Sequence, residues 1–245
     1  MNQRNDFTWR LLEKHIVKGM HVLDVGCGMG DLTFLASRLA GREGRVTGID
    51  MNEMMLGMAE KRKEEESCGQ VFFRKMNLEN VSELPEKYDA IIGRRILMYL
   101  PQPEKVIEDL KKILNPGGIM IFQESDAMGT VFNHEMPLQE KVQDWIWETV
   151  KKENGNIHIG SEMYGMFKNA NMDVLEYVSE NILQTADSES DLAWVAKMMK
   201  ERITKYGIAT ESEMGLETLE ERLKEEREQV KKAFVRDVTF GICVR

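Results

Sequence analysis

The chain has 245 residues, 33 Lys and Arg against 42 Asp and Glu, a formal charge of −9 and 42% hydrophobic residues. That length suits one α/β core with an elaboration, and the acidic balance argues against a nucleic-acid partner, which needs a cationic face for phosphates. No apolar run approaches the roughly 18 residues of a membrane span, and Cys27, Cys68 and Cys243 are scattered without a CxxC pair, so reduced thiols, no metal site and a cytoplasmic location are expected.

In chain order, residues 6–18 place Phe7, Leu11, Leu12 and Ile16 at helical spacing, without the apolar stretch of a signal peptide. Val22–Val25 reads as a short buried strand, followed by glycines at 26, 28 and 30 and a helix to about Leu39. Strands are predicted over 45–50, 71–76, 88–93 and 119–124, with helices over 53–66 and 103–114, the latter stopped by the turn "NPGG" at 115–118. Such alternation implies βαβ units and a mainly parallel sheet covered on both faces.

Beyond residue 125 the rhythm changes. Leu138, Val142, Trp145, Ile146 and Val150 share one helical face, and Leu192, Val195, Ala196, Met199, Ile203 and Tyr206 share another. Two more strands are expected at 172–180 and 237–244. The expected division is a core of residues 1–128, 159–185 and 233–245, with helical lid insertions at 129–158 and 186–232. The segment 216–232 has a seam too short for a long coiled coil, so monomer and homodimer both stay open. The 18 methionines read as core filling or as an adaptable apolar pocket.

A strand, a glycine-rich turn and a helix together bring backbone N–H groups close to a ligand. Asp50 follows Gly28 by 22 residues at the end of the second strand, where a carboxylate can hold both hydroxyls of a ribose. Position 31 is Asp, not the third glycine of the dinucleotide pattern, and Asp24 adds a further negative charge. These carboxylates favour a positively charged, phosphate-free adenosine derivative.

"VLDVGCGMG" resembles the first motif of the class I S-adenosylmethionine-dependent methyltransferases, and "VTGIDMN", "MNLEN" and the segment 88–124 are similar to the motifs that follow in that family. The resemblance implies a Rossmann-like sheet of seven strands, the last antiparallel, with S-adenosyl-L-methionine across the ends of strands one, two and four. It places Asp24, Gly26, the Cys27 backbone, Gly28 and Gly30 on the cofactor, Asp50 on the ribose, Met51 beside the adenine and Asn77 with Leu78 at the adenine edge. Arg94 is expected near the methionine carboxylate or an anionic substrate.

Tyr99, Glu124 and His134 are the candidates for acceptor chemistry, with Asp126 and His158 behind them. The activity implied is methyl transfer to oxygen, nitrogen being second, on a small molecule or short peptide terminus, without a nucleic-acid or membrane partner. Two rivals remain: a non-catalytic protein that binds S-adenosylmethionine, and an NAD-dependent oxidoreductase on a similar fold.

Overall fold

The computed structural model describes residues 3–128 and 136–245. The first part runs α1 (Gln3–Leu12), β1 (His21–Val25), α2 (Asp31–Ala40), β2 (Arg45–Asp50), α3 (Glu53–Glu65) and β3 (Val71–Lys75). It continues through β4 (Tyr88–Arg94), α4 (Pro103–Lys112) and β5 (Leu114–Asp126). The second part holds α5 (Pro137–Lys152), α6 (Ile159–Asn169), β6 (Val174–Gln184), α7 (Leu192–Met198) and α8 (Lys200–Lys205). It closes with α9 (Glu211–Met214), α10 (Leu219–Val230) and β7 (Phe234–Val244).

One seven-stranded sheet has the order β3-β2-β1-β4-β5-β7-β6. β7 is antiparallel to both of its neighbours, while the pairs formed by β1 to β5 are parallel. This is the Rossmann-like α/β architecture expected from the sequence. Strand order reverses between β1 and β4, and open α/β sheets bind ligands outside the carboxyl ends of the strands at such a point.

Alternation along the strands sorts the core into two layers. Val22, Val46, Ala90, Ile92, Ile119 and Ile121 face Phe7, Leu11 and Leu12 of α1 and Leu32 and Ala36 of α2. Leu23, Val25, Ile91, Met120, Phe122 and Ile242 face the opposite way. That second layer is continuous with Val142, Trp145 and Val150 of α5, Leu192 and Val195 of α7, and Leu219 and Leu223 of α10. The late helices therefore share the core of the sheet.

Several boundaries differ from expectation: β6 extends to Gln184 and β7 begins at Phe234. α1 ends at Leu12, and the Ile16 N–H returns to the Leu12 carbonyl at 2.8 Å, so a turn carries Ile16 into the same core. The "NPGG" turn lies within β5: Leu114 pairs with Tyr88 and Ile119 with Ala90, so residues 115–118 loop out opposite Asp89. Asn115 donates to the Asp89 carboxylate at 2.7 Å and secures the bulge. No helix among the described residues is long and apolar enough to cross a membrane, and all three cysteines are free thiols.

Candidate functional site

A cleft of about 920 Å³ opens at the carboxyl ends of β1, β2 and β4. Its floor is the glycine turn. The Gly26 and Cys27 N–H groups donate to the Ile49 carbonyl, which ties the turn to β2. Both Gly26 (φ +69°) and Gly28 (φ +53°) adopt left-handed backbone, but for different ends. A Cβ on Gly26 would lie 2.6 Å from the Ile96 side chain, whereas one on Gly28 meets nothing within 4 Å. Gly26 thus lets the segment after β4 approach, and Gly28 keeps the floor bare.

A consequence follows for two variants. Gly26→Ala is expected to lower thermal stability by about 1–3 kcal/mol, from clash and strain together. Gly28→Ala is expected to act more on ligand affinity than on melting temperature, as paired calorimetric titrations and thermal melts will show.

Asp50 closes the turn. Its Oδ2 accepts the Gly28 N–H at 2.8 Å and its Oδ1 accepts the Asn52 N–H at 2.8 Å, while Asn52 caps α3. Each carboxylate oxygen keeps lone-pair capacity for a further donor. Asp24 is buried at the cleft wall. Its Oδ2 accepts the Thr33 hydroxyl at 2.5 Å, and its Oδ1 has no hydrogen-bond partner. Burial raises the Asp24 carboxyl to about 7, against the opposing pull of the Thr33 hydroxyl and the Arg94 charge.

The β4 side of the cleft carries Arg94, Arg95, Ile96 and Tyr99. Arg94 lies 3.9 Å from Asp31 and donates to the Thr8 hydroxyl at 3.4 Å. Thr8 in turn donates to Gln123, so α1 braces this wall. Arg95 has φ +56°, and its guanidinium reaches Asp191 at 3.2 Å. Arg236 of β7 pairs with the same carboxylate. Asp191 precedes α7, so this network fastens that helix to β4 and β7. Trp194, Met198 and Met199 line the facing side, together with Arg202, whose guanidinium sits 5.3 Å over the Tyr99 ring.

Of the residues singled out from sequence, Asp24, Gly26, Cys27, Gly28, Asp50, Arg94 and Tyr99 line this one cleft. Gly30, Met51, Asn77 and Leu78 are not among its lining residues. Gly30 starts α2 with its Cα against the Phe34 and Phe73 rings. Met51 is exposed, and Asn52, Met54 and Met55 line the cleft in its place. Asn77 caps a short 3-10 helix by accepting the Glu79 N–H at 3.0 Å, and Leu78 is buried in the core.

Glu124 is a correction. Fully buried, it accepts the Ile96 and Leu97 N–H groups at 2.9 and 2.8 Å and cannot reach an acceptor in the cleft. Asp126 is likewise occupied by the N–H groups of Met128 and Ser161 and by His158. His134 lies outside the described residues.

The sequence reading missed Thr8, Gln123, Asp191 and Arg202. Trp194, with Trp145 and Trp147, reads from sequence as a packing residue of the late helices, with one of the three lining an apolar pocket as the alternative. Trp194 and Met198 are four residues apart and exposed, off the buried stripe of Leu192 and Val195. A large apolar pair on the polar face of a helix was the available signal. Among the described residues, no cluster of three His, Cys, Asp or Glu could hold a metal ion.

Comparison with known proteins agrees with this geometry. Residues 16–206 match the family model described as "Methyltransferase domain". The ubiquinone biosynthesis O-methyltransferase of Coxiella burnetii is 30% identical over 119 residues, which cover 48% of this chain and 49% of that protein. The match thus spans about half the length of the curated relative.

Two solved structures share the fold. An N-methyltransferase of Haemonchus contortus, in complex with phosphomonomethylethanolamine and S-adenosylhomocysteine, has a TM-score of 0.59 at 15% identity, covering 98% of this chain and 52% of that one. The cyclase SpnF has a TM-score of 0.60 at 17% identity, covering 98% and 80%. With the family match spanning most of its length and the sheet order in place, the chain belongs to the methyltransferase-domain family, among the class I S-adenosylmethionine-dependent methyltransferases.

Proposed function

We propose that the chain transfers a methyl group from S-adenosyl-L-methionine to an oxygen of a small molecule or short peptide terminus, nitrogen being the second acceptor. One observation carries this reading: a single cleft joins the Gly28 turn and the Asp24 and Asp50 carboxylates to an apolar wall of Trp194, Val195 and Met198 on α7. The cofactor supplies a methyl group already activated on a sulfonium. The chain's task is then to bind, align and exclude water.

The residues present suit that cofactor. Gly28 leaves room for close approach, Asp50 offers two oxygens to the ribose hydroxyls, and the partnerless Asp24 Oδ1 suits an ammonium group. Arg94 is the cation placed for a carboxylate. Ile96, Trp194, Val195 and Met198 keep water from the acceptor side. The helices within 129–158 and 186–232 form the lid over the core of residues 1–128, 159–185 and 233–245. Tyr99 is the sequence candidate positioned in the cleft to orient an acceptor. The name of the curated O-methyltransferase relative supports oxygen as the acceptor atom.

Asp24 makes this reading pH-dependent. With its carboxyl raised to about 7 in the free protein, binding of a cationic amine below that pH requires loss of a proton. Affinity for S-adenosylhomocysteine is expected to rise several-fold from about pH 6 to about pH 8, and Asp24→Asn should flatten the profile in calorimetric titration. A pH-independent wild-type affinity would remove Asp24 from the amine.

Turnover is tested by release of S-adenosylhomocysteine from S-adenosylmethionine with hydroxyl, carboxylate and amine acceptor panels. Product with hydroxyls or carboxylates is the expected result, and product with amines alone would move the acceptor to nitrogen. Tight cofactor binding without turnover on any panel would replace the enzyme by a binding protein.

A further inference from the structure

A second recess, of about 650 Å³, lies between residues 186–190 and α10. It is separate from the cleft, because Ala193 of α7 faces the recess whereas Trp194, Val195 and Met198 line the cleft. Its volume falls in the range of small-ligand sites.

The wall of this recess includes Arg227, only 5% exposed. The Nε and Nη1 atoms of Arg227 are buried without a hydrogen-bond partner, and it forms no ion pair with a described residue. A guanidinium stays charged at any ordinary pH, and a buried charge without a counter-ion is strongly unfavourable. The neighbouring Arg236 adds to the repulsion. Of the acids on the same helix, Glu226 is occupied by the Leu138 and Gln139 N–H groups. Glu220 and Glu228 line the recess, act on Arg227 at longer range, and make no hydrogen bond to it.

The remaining charges narrow the ligand. Asp187, Glu189, Glu220 and Glu228 line the recess with Lys224 and Arg227. A multiply charged phosphate would meet four carboxylates. A ligand with one carboxylate and one ammonium satisfies both halves of the lining. We propose that this recess binds a small amino-acid-type zwitterion, with its carboxylate on Arg227 and its ammonium among the acidic side chains. Ser188 and Ser190 add hydroxyls at the same wall.

The test is calorimetric titration of the full chain, with the cleft saturated by S-adenosylhomocysteine, using glycine, alanine, leucine, glutamate, acetate and inorganic phosphate as probes. Saturable binding of at least one amino acid, tighter than acetate or phosphate, is expected. Arg227→Met should lose at least about tenfold in that affinity, the worth of hydrogen bonds to a charged group. It should also melt higher than wild type without ligand, since a lone buried charge is replaced by an apolar chain, and its binding of S-adenosylhomocysteine should be unchanged.

Should Arg227→Met fail to fold, Lys224→Met and Glu220→Gln are expected to weaken the amino acid several-fold each. Three results would overturn the proposal: no amino acid bound at millimolar concentration, phosphate preferred over every amino acid, or amino-acid affinity untouched by these substitutions.

Discussion

Replacing Asp50 with alanine is expected to weaken binding of S-adenosylhomocysteine by about 100-fold or more, because two hydrogen bonds to a charged group are lost at about 1.5–3 kcal/mol each. The carboxylate is already aligned for this work: its two oxygens are fixed by the Gly28 and Asn52 N–H groups. Those N–H groups are partly or largely exposed, so water can replace the carboxylate there and the loss of stability should be small. Affinity and folding are thereby separable. Isothermal titration reads the first, and a thermal melt the second. Asp50→Asn, which keeps one acceptor oxygen, should fall between alanine and wild type. An affinity within about threefold of wild type for Asp50→Ala would place the sugar elsewhere.

The second large effect belongs to stability. Glu124→Ala leaves the Ile96 and Leu97 N–H groups buried without their acceptor, at a cost of about 1–3 kcal/mol for each. For a chain of this size the melting temperature should fall by about 10 °C. Because Ile96 contacts Gly26 and lines the cleft, cofactor affinity should fall with it. Glu124→Gln retains an acceptor oxygen and should be far milder.

The same residue has a pH signature. Burial raises the Glu124 carboxyl to about 7, although the backbone N–H groups favour its charged form. Between about pH 4.5 and pH 7 the folded chain holds a proton that the unfolded chain has released, so stability falls as pH rises across that window. Asp24, also raised to about 7 by burial, acts in the same direction. Urea midpoints at about pH 5 and pH 7 should therefore differ less in Glu124→Gln than in wild type. An unchanged difference would mean that Glu124 does not carry the proton.

Glu124 also shows where reading from sequence alone fails. A carboxylate at the end of the fifth strand looks like a base beside the site, and its chain position is correct. Its partners are backbone N–H groups 27 and 28 residues earlier, after β4. Nothing local encodes that pairing. The capping role of Asn77 and the exposed side chain of Met51 were illegible for a related reason, since both depend on how neighbouring elements dock.

What the sequence determined by itself was local or periodic: strands by apolar runs, helices by spacing, the bare turn by Gly26 and Gly28, and the placing of the Asp50 carboxylate beside that turn by its separation from Gly28. Those features reside within about 30 residues of chain, and backbone sterics and burial enforce them wherever they occur. Only the tertiary structure decided which side chains meet across the cleft. Arg94 of β4 faces Asp191 and Trp194 at the start of α7, and Thr8 of α1 braces Arg94; their convergence from three distant elements depends on how α1 and α7 pack on the sheet. Packing of that kind is a property of complementary surfaces, and surfaces do not exist until the chain has folded.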